Sequence, residues 1–145
     1  MNSVLYRSLV RLGHDEIQAA PRDMCSVAVG RALYRSGHGV LATRPKLVVG
    51  IVGCSDYGDR YDDQFKQSKG RLRPSQFGSS VLNSIIGECS VTFGLKGPQI
   101  SVAPSDNVAR VAIMQLVNKR ADVMITCVYN DEERDVIVTV MELLK

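Results

Sequence analysis

Apolar residues fall along this chain in short runs that alternate with longer segments of helical spacing. The clearest run, residues 46–54, is nearly continuous and rich in β-branched residues, as is typical of a strand buried on both faces. Three later runs have the length and residue types of strands. The pattern predicts strands at residues 46–54, 99–103, 121–129 and 135–144.

Apolar residues at helical spacing predict three helices, one before the first of these strands and two between them. The first lies between Pro21 and Gly37, and glycine commonly follows a helix C-terminus. The second follows Pro74 and carries a broad apolar face from Phe77 to Phe93. The predicted helices cover residues 22–36, 75–93 and 106–119.

The alternation of strands and helices predicts an α/β fold. We expect one domain with a mixed, mostly parallel five-stranded sheet and helices on both faces. The last two predicted strands are joined by a short turn, which favours an antiparallel edge. Residues 3–12 are apolar with arginine interruptions, and their pattern fits either a first strand or a short helix.

Residues 96–111 read as a turn, a short strand, a tight corner and the start of a helix. Pro104 ends the strand because proline has no N–H for a ladder hydrogen bond. Ser105, Asp106 and Asn107 are three consecutive residues of the types that best cap a helix N-terminus. A strand that turns sharply into a helix presents a side chain and free backbone N–H groups to a ligand. We therefore place the candidate site at this corner.

Composition limits the classes of function. The chain has 145 residues, 45% hydrophobic and 23% charged, which fits one globular domain. A net charge of +3, scattered basic residues, no Trp and 6% aromatic residues argue against a nucleic-acid-binding surface. No apolar run approaches the roughly 20 residues of a membrane span. The first 15 residues lack the features of a signal peptide, and we expect a cytoplasmic protein.

The cysteines and aspartates do not form a convincing metal site. Cys25, Cys54, Cys89 and Cys127 are far apart and lie beside apolar residues, which indicates reduced core thiols. Cys54 lies between Gly53 and Ser55 at the end of a strand. It is the one cysteine for which we retain a role other than filling the core.

Residues 55–73 include four aspartates, but the closing glutamate of a calcium loop is missing. A solvated loop or short helix is the favoured interpretation there. His14 and His38 lie in polar or glycine-flanked segments typical of surface residues. We expect no metal and no cofactor.

The order of motifs in residues 74–129 resembles the N-terminal half of a β-ketoacyl synthase, within the thiolase-like superfamily. The family's Pro-x-x-Phe helix start corresponds to residues 74–77, and its Gly-Leu-x-Gly-Pro turn to residues 94–98. The family's strand before the elbow corresponds to residues 99–103. Its Ala-Asp and apolar strand after the elbow helix correspond to residues 120–124. More loosely, the resemblance reaches from Met24 to the end of the chain and implies a single domain of this N-terminal type over residues 1–145.

The sequence departs from the family in three ways. Asp106 stands where the resemblance places the elbow cysteine, the acyl-accepting nucleophile. Only residues 130–134 fill the place of a long segment that lines the pocket and the dimer interface. The family's second half supplies two histidines for the oxyanion and for decarboxylation, and we expect no equivalent here, since His14 and His38 precede the matched region.

These departures favour a non-catalytic subunit. An ionised aspartate only accepts hydrogen bonds, and an acyl-aspartyl anhydride would hydrolyse readily. Asp106 could instead cap the helix, which would contribute about 0.5–2 kcal/mol, or it could contact a substrate. We expect a ketosynthase-like pseudoenzyme of fatty-acid or polyketide-type biosynthesis.

A catalytic function remains the alternative hypothesis. The chain would then be an acyl transferase or thioester hydrolase that acts on carrier-bound acyl chains. Cys54, Ser105 or Asp106 would act together with groups from a partner subunit.

The same resemblance predicts the partners and the surfaces that bind them. We expect a homodimer, or a heterodimer with a ketosynthase, and an acyl carrier protein as a further partner. A half-length member of a two-half fold would expose the apolar face that normally packs on the other half, and exposed apolar patches of that size usually mark interfaces. The interface would use Gln99, Ile100, Ser101 and Val102, together with the helix from Phe77 to Phe93. The predicted substrate-binding residues are Ser105, Asp106, Asn107 and Phe77.

Overall fold

The computed structural model describes most of the chain, and its elements follow the predicted order of strands and helices. The described residues are 3–18, 21–39, 41–55, 82–102, 105–130 and 132–144. The strands are β1 Val4–Gly13, β2 Val49–Ser55, β3 Gln99–Ser101, β4 Val123–Asn130 and β5 Asp135–Leu143. The α-helices are α1 Pro21–Arg35, α2 Leu82–Phe93 and α3 Val108–Val117.

The five strands form one mixed sheet in the order β1-β5-β4-β2-β3. The pairs β4–β2 and β2–β3 are parallel, whereas β1–β5 and β5–β4 are antiparallel. Four strands therefore run in one direction and β5 runs in the other. The predicted α/β fold with a mixed five-stranded sheet is confirmed, although only two of the four pairings are parallel.

The ambiguous N-terminal segment is a strand. β1 pairs antiparallel with β5 from Val4↔Leu143 to Gly13↔Asp135. The predicted hairpin of β4 and β5 is present, but β5 is not an edge because β1 covers it. The prediction of an antiparallel edge formed by the last two strands is corrected in this respect.

Helices cover both faces of the sheet, as predicted. Cys25, Val29 and Leu33 of α1 and Ile86 of α2 are buried against one face. On the other face, α3 buries a smaller set, including Ala112 and Leu116, against β2, β4 and β5. Among the described helices, none has both the length and the apolar character needed to cross a bilayer.

A close backbone approach fixes the turn that leads into β3. The Gly97 N–H donates to the Val49 carbonyl at 2.9 Å, and the Ile51 N–H donates to the Pro98 carbonyl at 2.9 Å. A Cβ on Gly97 would lie 2.7 Å from the Gly50 nitrogen. The Gly-Pro turn therefore lies directly against β2 and sets the register of β3.

Element boundaries differ from the predictions mainly at the ends. The strand predicted from residue 46 begins at Val49, because Pro45 and Lys46 form a turn. The helix predicted from residue 106 begins at Val108, since Ser105–Asn107 form a single 3₁₀ turn. Residues 75–81 of the predicted second helix and the aspartates of residues 56–63 lie outside the described residues.

Candidate functional site

The predicted corner lies at the carboxyl ends of parallel strands. β3 ends at Ser101, and Gly53 of β2 lies beside it in register. The 3₁₀ turn Ser105–Asn107 follows and leads directly into α3. In open α/β sheets this end, where the strands finish and helices begin, is where ligands commonly bind.

The corner presents its polar side chains to solvent. Ser105 and Asp106 are exposed, and Asn107 is half-buried. Asn107 occupies the N-cap position of α3, with φ −87° and ψ −9°, and makes no side-chain cap hydrogen bond. The predicted role of Asp106 as the N-cap is wrong by one residue, because the 3₁₀ turn moves the helix start to Val108.

Neither histidine of the chain lies beside the corner. The chain has two histidines. His14 follows β1, which is four strand spacings from β3, or roughly 19 Å at about 4.8 Å per spacing. His38 lines a cleft at the opposite end of the strands. The hydroxyl and carboxylate of the corner are therefore not activated by an imidazole of this chain.

Cys54 is the nearest thiol to the corner. It lies near the end of β2, is half-buried, and packs against the same core cluster on the α3 face of the sheet as Ile100 and Val102 do. The other three cysteines are buried, as predicted.

Two of the buried thiols, those of Cys89 and Cys127, have a raised pKa and are held protonated. Burial raises the pKa of the Cys89 thiol to about 12, with a smaller contribution from Cys127. A hydrogen bond with Cys25, followed by burial, raises the pKa of the Cys127 thiol. A neutral thiol is a poor nucleophile, so these cysteines serve the core. No group of potential metal ligands occurs among the described residues.

Among the described strands, β3 is an edge of the sheet with one open side. It pairs with β2 alone within the described residues. Pro98 and Val102 use their backbone groups toward β2, with the Val102 N–H donating to the Gly53 carbonyl at 3.0 Å. Because successive residues of a strand alternate, the N–H and C=O groups of Gln99 and Ser101 point to the open side.

The side chains of Gln99 and Ser101 lie on the same face of the sheet, because the two residues are two positions apart in the strand. The Gln99 amide donates to the Ser90 hydroxyl of α2 at 2.6 Å. The Ser101 hydroxyl oxygen is buried and has no hydrogen-bond partner in the described part of the chain. The predicted interface strand thus combines free backbone groups with one unsatisfied side chain.

The structure brings together three of the four predicted substrate-binding residues, since Ser105, Asp106 and Asn107 are contiguous. Phe77 lies outside the described residues. The interpretation of His38 as a surface residue is wrong, because its side chain is only 8% exposed. Its glycine neighbours gave no sign of burial, which depends on packing against Glu142 near the other end of the chain.

Sequence comparison connects the chain to a known family. Residues 20–141 match the family described as beta-ketoacyl synthase, N-terminal domain. No curated protein sequence matches the chain.

Several solved ketosynthases share the fold. One is the ketosynthase ApeO in complex with its chain length factor ApeC from Xenorhabdus doucetiae. That match has 13% identity and a TM-score of 0.59, and covers 86% of this chain and 57% of the other. A beta-ketoacyl synthase from Burkholderia phymatum has 10% identity and a TM-score of 0.65, with 99% and 60% covered.

A third structure is a type II polyketide acyl-carrier protein in complex with its ketosynthase bound to the hexaketide. It has 15% identity and a TM-score of 0.69, with 98% of this chain and 62% of the other covered. The chain therefore spans less than two thirds of the length of each of these three proteins.

Proposed function

Because the chain belongs to the β-ketoacyl synthase family through its N-terminal domain, we propose that it is a non-catalytic ketosynthase-like subunit of fatty-acid or polyketide-type biosynthesis. It would act in the cytoplasm as a single domain of this type over residues 1–145. Its partner would be a second copy, a ketosynthase or an acyl carrier protein. Complexes of the last two kinds occur among proteins of the same fold.

One observation carries the non-catalytic proposal. The corner between β3 and α3 presents Asp106 at the position where the resemblance places the nucleophilic cysteine, and no imidazole lies beside it. Condensation needs a thiolate, donors for the developing oxyanion and an acid–base group. The exposed Ser105–Asn107 turn can contact an acyl or carrier group. The carboxylate of Asp106, however, cannot take the place of the thiolate that accepts the acyl group.

Intact-mass measurement after incubation with an acyl thioester tests this proposal. The unmodified protein should gain no stable acyl mass. Asp106→Cys should gain one, because a thiol beside a helix N-terminus has a lowered pKa and attacks thioesters. Asp106→Asn is the matched control without a thiol. A stable adduct on the unmodified peptide that contains Ser105 and Asp106 would overturn the proposal.

A thioester hydrolase or acyl transferase is the second candidate. The half-buried Cys54 favours it, because this thiol lies near the carboxyl end of β2, on the same face as the residues that lead to the corner. Release of free acid from an acyl thioester in the presence of a copurified partner would support this function. Its loss in Asp106→Ala or Cys54→Ala would identify the group responsible.

We propose that the open side of β3 is the assembly surface. The outward backbone groups of Gln99 and Ser101 can pair antiparallel with a second such edge. The same four residues, Gln99, Ile100, Ser101 and Val102, would repeat on both sides of a twofold axis, so one substitution acts twice.

Ser101→Pro should abolish this assembly without unfolding the protein, because the lost N–H points away from β2. Ile100→Pro is the matched control: the alternation of the ladder turns the Ile100 N–H toward β2, so this variant should lose stability as well. Light scattering and circular dichroism distinguish the two results. A stable monomer of the unmodified protein at micromolar concentration, with no partner, would contradict the proposal, as would an unchanged assembly in Ser101→Pro.

A further inference from the structure

A cleft of about 1170 Å³ lies at the end of the sheet opposite to the corner. Its walls come from the starts of β1, β2 and β4, the end of β5, the end of α3 and the loop after α1. Leucine side chains form much of the lining, and charged side chains converge on it from separate elements. None of the predicted site residues that the structure describes lines this cleft.

His38 is one of the polar residues that line the cleft. Its Nδ1 lies 2.8 Å from Nη1 of Arg44. Because a guanidinium only donates, Nδ1 must accept this hydrogen bond, and the ring proton of the neutral imidazole is on Nε2. The side chain is 8% exposed, and Nε2 has no hydrogen-bond partner among the described residues. A buried N–H donor without an acceptor is costly, so a ligand that accepts this hydrogen bond gains affinity.

Glu142 supplies an acceptor beside that donor. Its Oε2 lies 4.0 Å from His38 Nε2, too far for a direct hydrogen bond. Its Oε1 is held by Arg7 at 2.6 Å, where a bulge between Tyr6 and Ser8 places Arg7 outside the ladder register. Nε2 is closed off from solvent in this conformation, so a ligand hydroxyl would reach it only after the surrounding side chains move apart. Placed about 2.8 Å from each atom, the hydroxyl would then accept from Nε2–H and donate to Oε2.

The remaining charges of the cleft are mainly positive. Arg7 and Glu142 neutralise each other, and Asp122 accepts a hydrogen bond from the Val48 N–H at 2.9 Å. Arg44, Lys46 and Lys119 add three positive charges, so the cleft keeps a surplus of two. This surplus matches the charge of a phosphate monoester dianion.

Lys119 has a backbone conformation that favours glycine. Its φ is +58°, in the left-handed region just beyond the C-terminus of α3. A lysine there loses stability relative to glycine, yet its side chain reaches the cleft.

We propose that this cleft binds a small phosphate monoester that carries a hydroxyl group. The hydroxyl lies between His38 and Glu142, and the phosphate lies toward Arg44, Lys46 and Lys119. The apolar lining packs against the carbon skeleton.

Three matched probes test the site on the full chain: glycerol 3-phosphate, n-propyl phosphate and glycerol. Titration is followed by calorimetry and by the NMR resonances of the His38 ring. Glycerol 3-phosphate should shift these resonances and bind about tenfold more tightly than n-propyl phosphate, which lacks the hydroxyls, and glycerol should bind more weakly still. Equal binding of the two phosphates, or no shift of the His38 resonances at millimolar concentration, would overturn the proposal.

Two variants with matched controls locate the site. His38→Phe should remove the preference for glycerol 3-phosphate, whereas His14→Phe at the other end of the sheet should keep it. Lys119→Gly should weaken phosphate binding about tenfold and at the same time raise the midpoint of thermal unfolding. Arg110→Ala removes one charge near the corner and should leave binding unchanged. Unchanged binding in Lys119→Gly would refute the site even if His38→Phe fails to fold.

Discussion

Replacement of Gly97 by alanine tests how β3 is held against the sheet. A Cβ on Gly97 would lie 2.7 Å from the Gly50 nitrogen and 2.8 Å from the Val49 carbonyl carbon. Both are backbone atoms of β2, whose other side is paired with β4 at Val49↔Val123. The backbone of β2 therefore has no free direction in which to move. The φ of Gly97 is outside the left-handed region, so the cost of the alanine arises from contact alone.

The magnitude follows from the type of contact. Forcing one extra methyl into a closely packed position typically costs about 1–3 kcal/mol. The Gly97 N–H hydrogen bond to the Val49 carbonyl would lengthen as the turn is pushed outward, so we expect the upper part of that range. Gly87 offers the matched control: it lies inside α2, and a Cβ there meets nothing within 4 Å. Gly87→Ala should stabilise the protein by about 0.5–1 kcal/mol.

Urea denaturation of the two variants and the unmodified protein measures these differences. The midpoints should shift in opposite directions with an unchanged slope, because neither variant alters the surface exposed on unfolding by much. In thermal unfolding, Gly97→Ala should melt about 4–12 °C below the unmodified protein. A free energy of unfolding of Gly97→Ala within about 0.5 kcal/mol of the unmodified protein would refute the close approach of the turn to β2.

Two further predictions concern titratable groups. Because the pKa of Cys89 is raised to about 12, its thiolate fraction at pH 8 should be roughly a thousandfold below that of an ordinary cysteine. Alkylation mapped by mass spectrometry should therefore modify Cys89 and Cys127 only after denaturation. Rapid modification of either cysteine in the native protein would contradict the assigned burial. Burial, and then the charge of Arg44, lower the pKa of His38, so the unfolded state binds more protons below about pH 6.5. The free energy of unfolding should therefore fall as the pH drops below 6.5, and it should fall less in the His38→Asn variant. Parallel plots of unfolding free energy against pH for the two proteins would contradict the lowered pKa of His38.

The sheet was largely predictable because its signals are local. Residues 46–54 and 121–129 are so apolar that only buried strands fit them, and both are strands that pair in parallel. The Gly-Pro turn before β3 and the capping residues before α3 were also predicted from the sequence. The one-residue error at the cap arose because Ser105, Asp106 and Asn107 are equally suitable, and only the 3₁₀ turn selects Asn107.

The parts that sequence analysis missed depend on contacts between distant segments. Residues 3–12 could not be assigned by periodicity because both faces of β1 carry exposed and half-buried residues, and their strand conformation is fixed by pairing with β5. The burial of His38 depends on Arg44 and on Glu142, which is brought near by the same pairing. The cleft therefore had no signal in any single stretch of the chain.

The assembly surface is the open side of β3 at one edge of the sheet, whereas the cleft lies at the end of the sheet where β2 and β4 begin. This separation allows the two surfaces to be tested independently. Ser101 is on the open side of β3, whereas Lys119 follows the far end of α3. Ser101→Pro should therefore leave the affinity for glycerol 3-phosphate unchanged, and Lys119→Gly should leave the oligomeric state unchanged. Calorimetry and light scattering on both variants give four measurements. If either variant loses both its assembly and its affinity for glycerol 3-phosphate, the two surfaces depend on each other. The simplest reason would be that the conformation of the cleft depends on assembly.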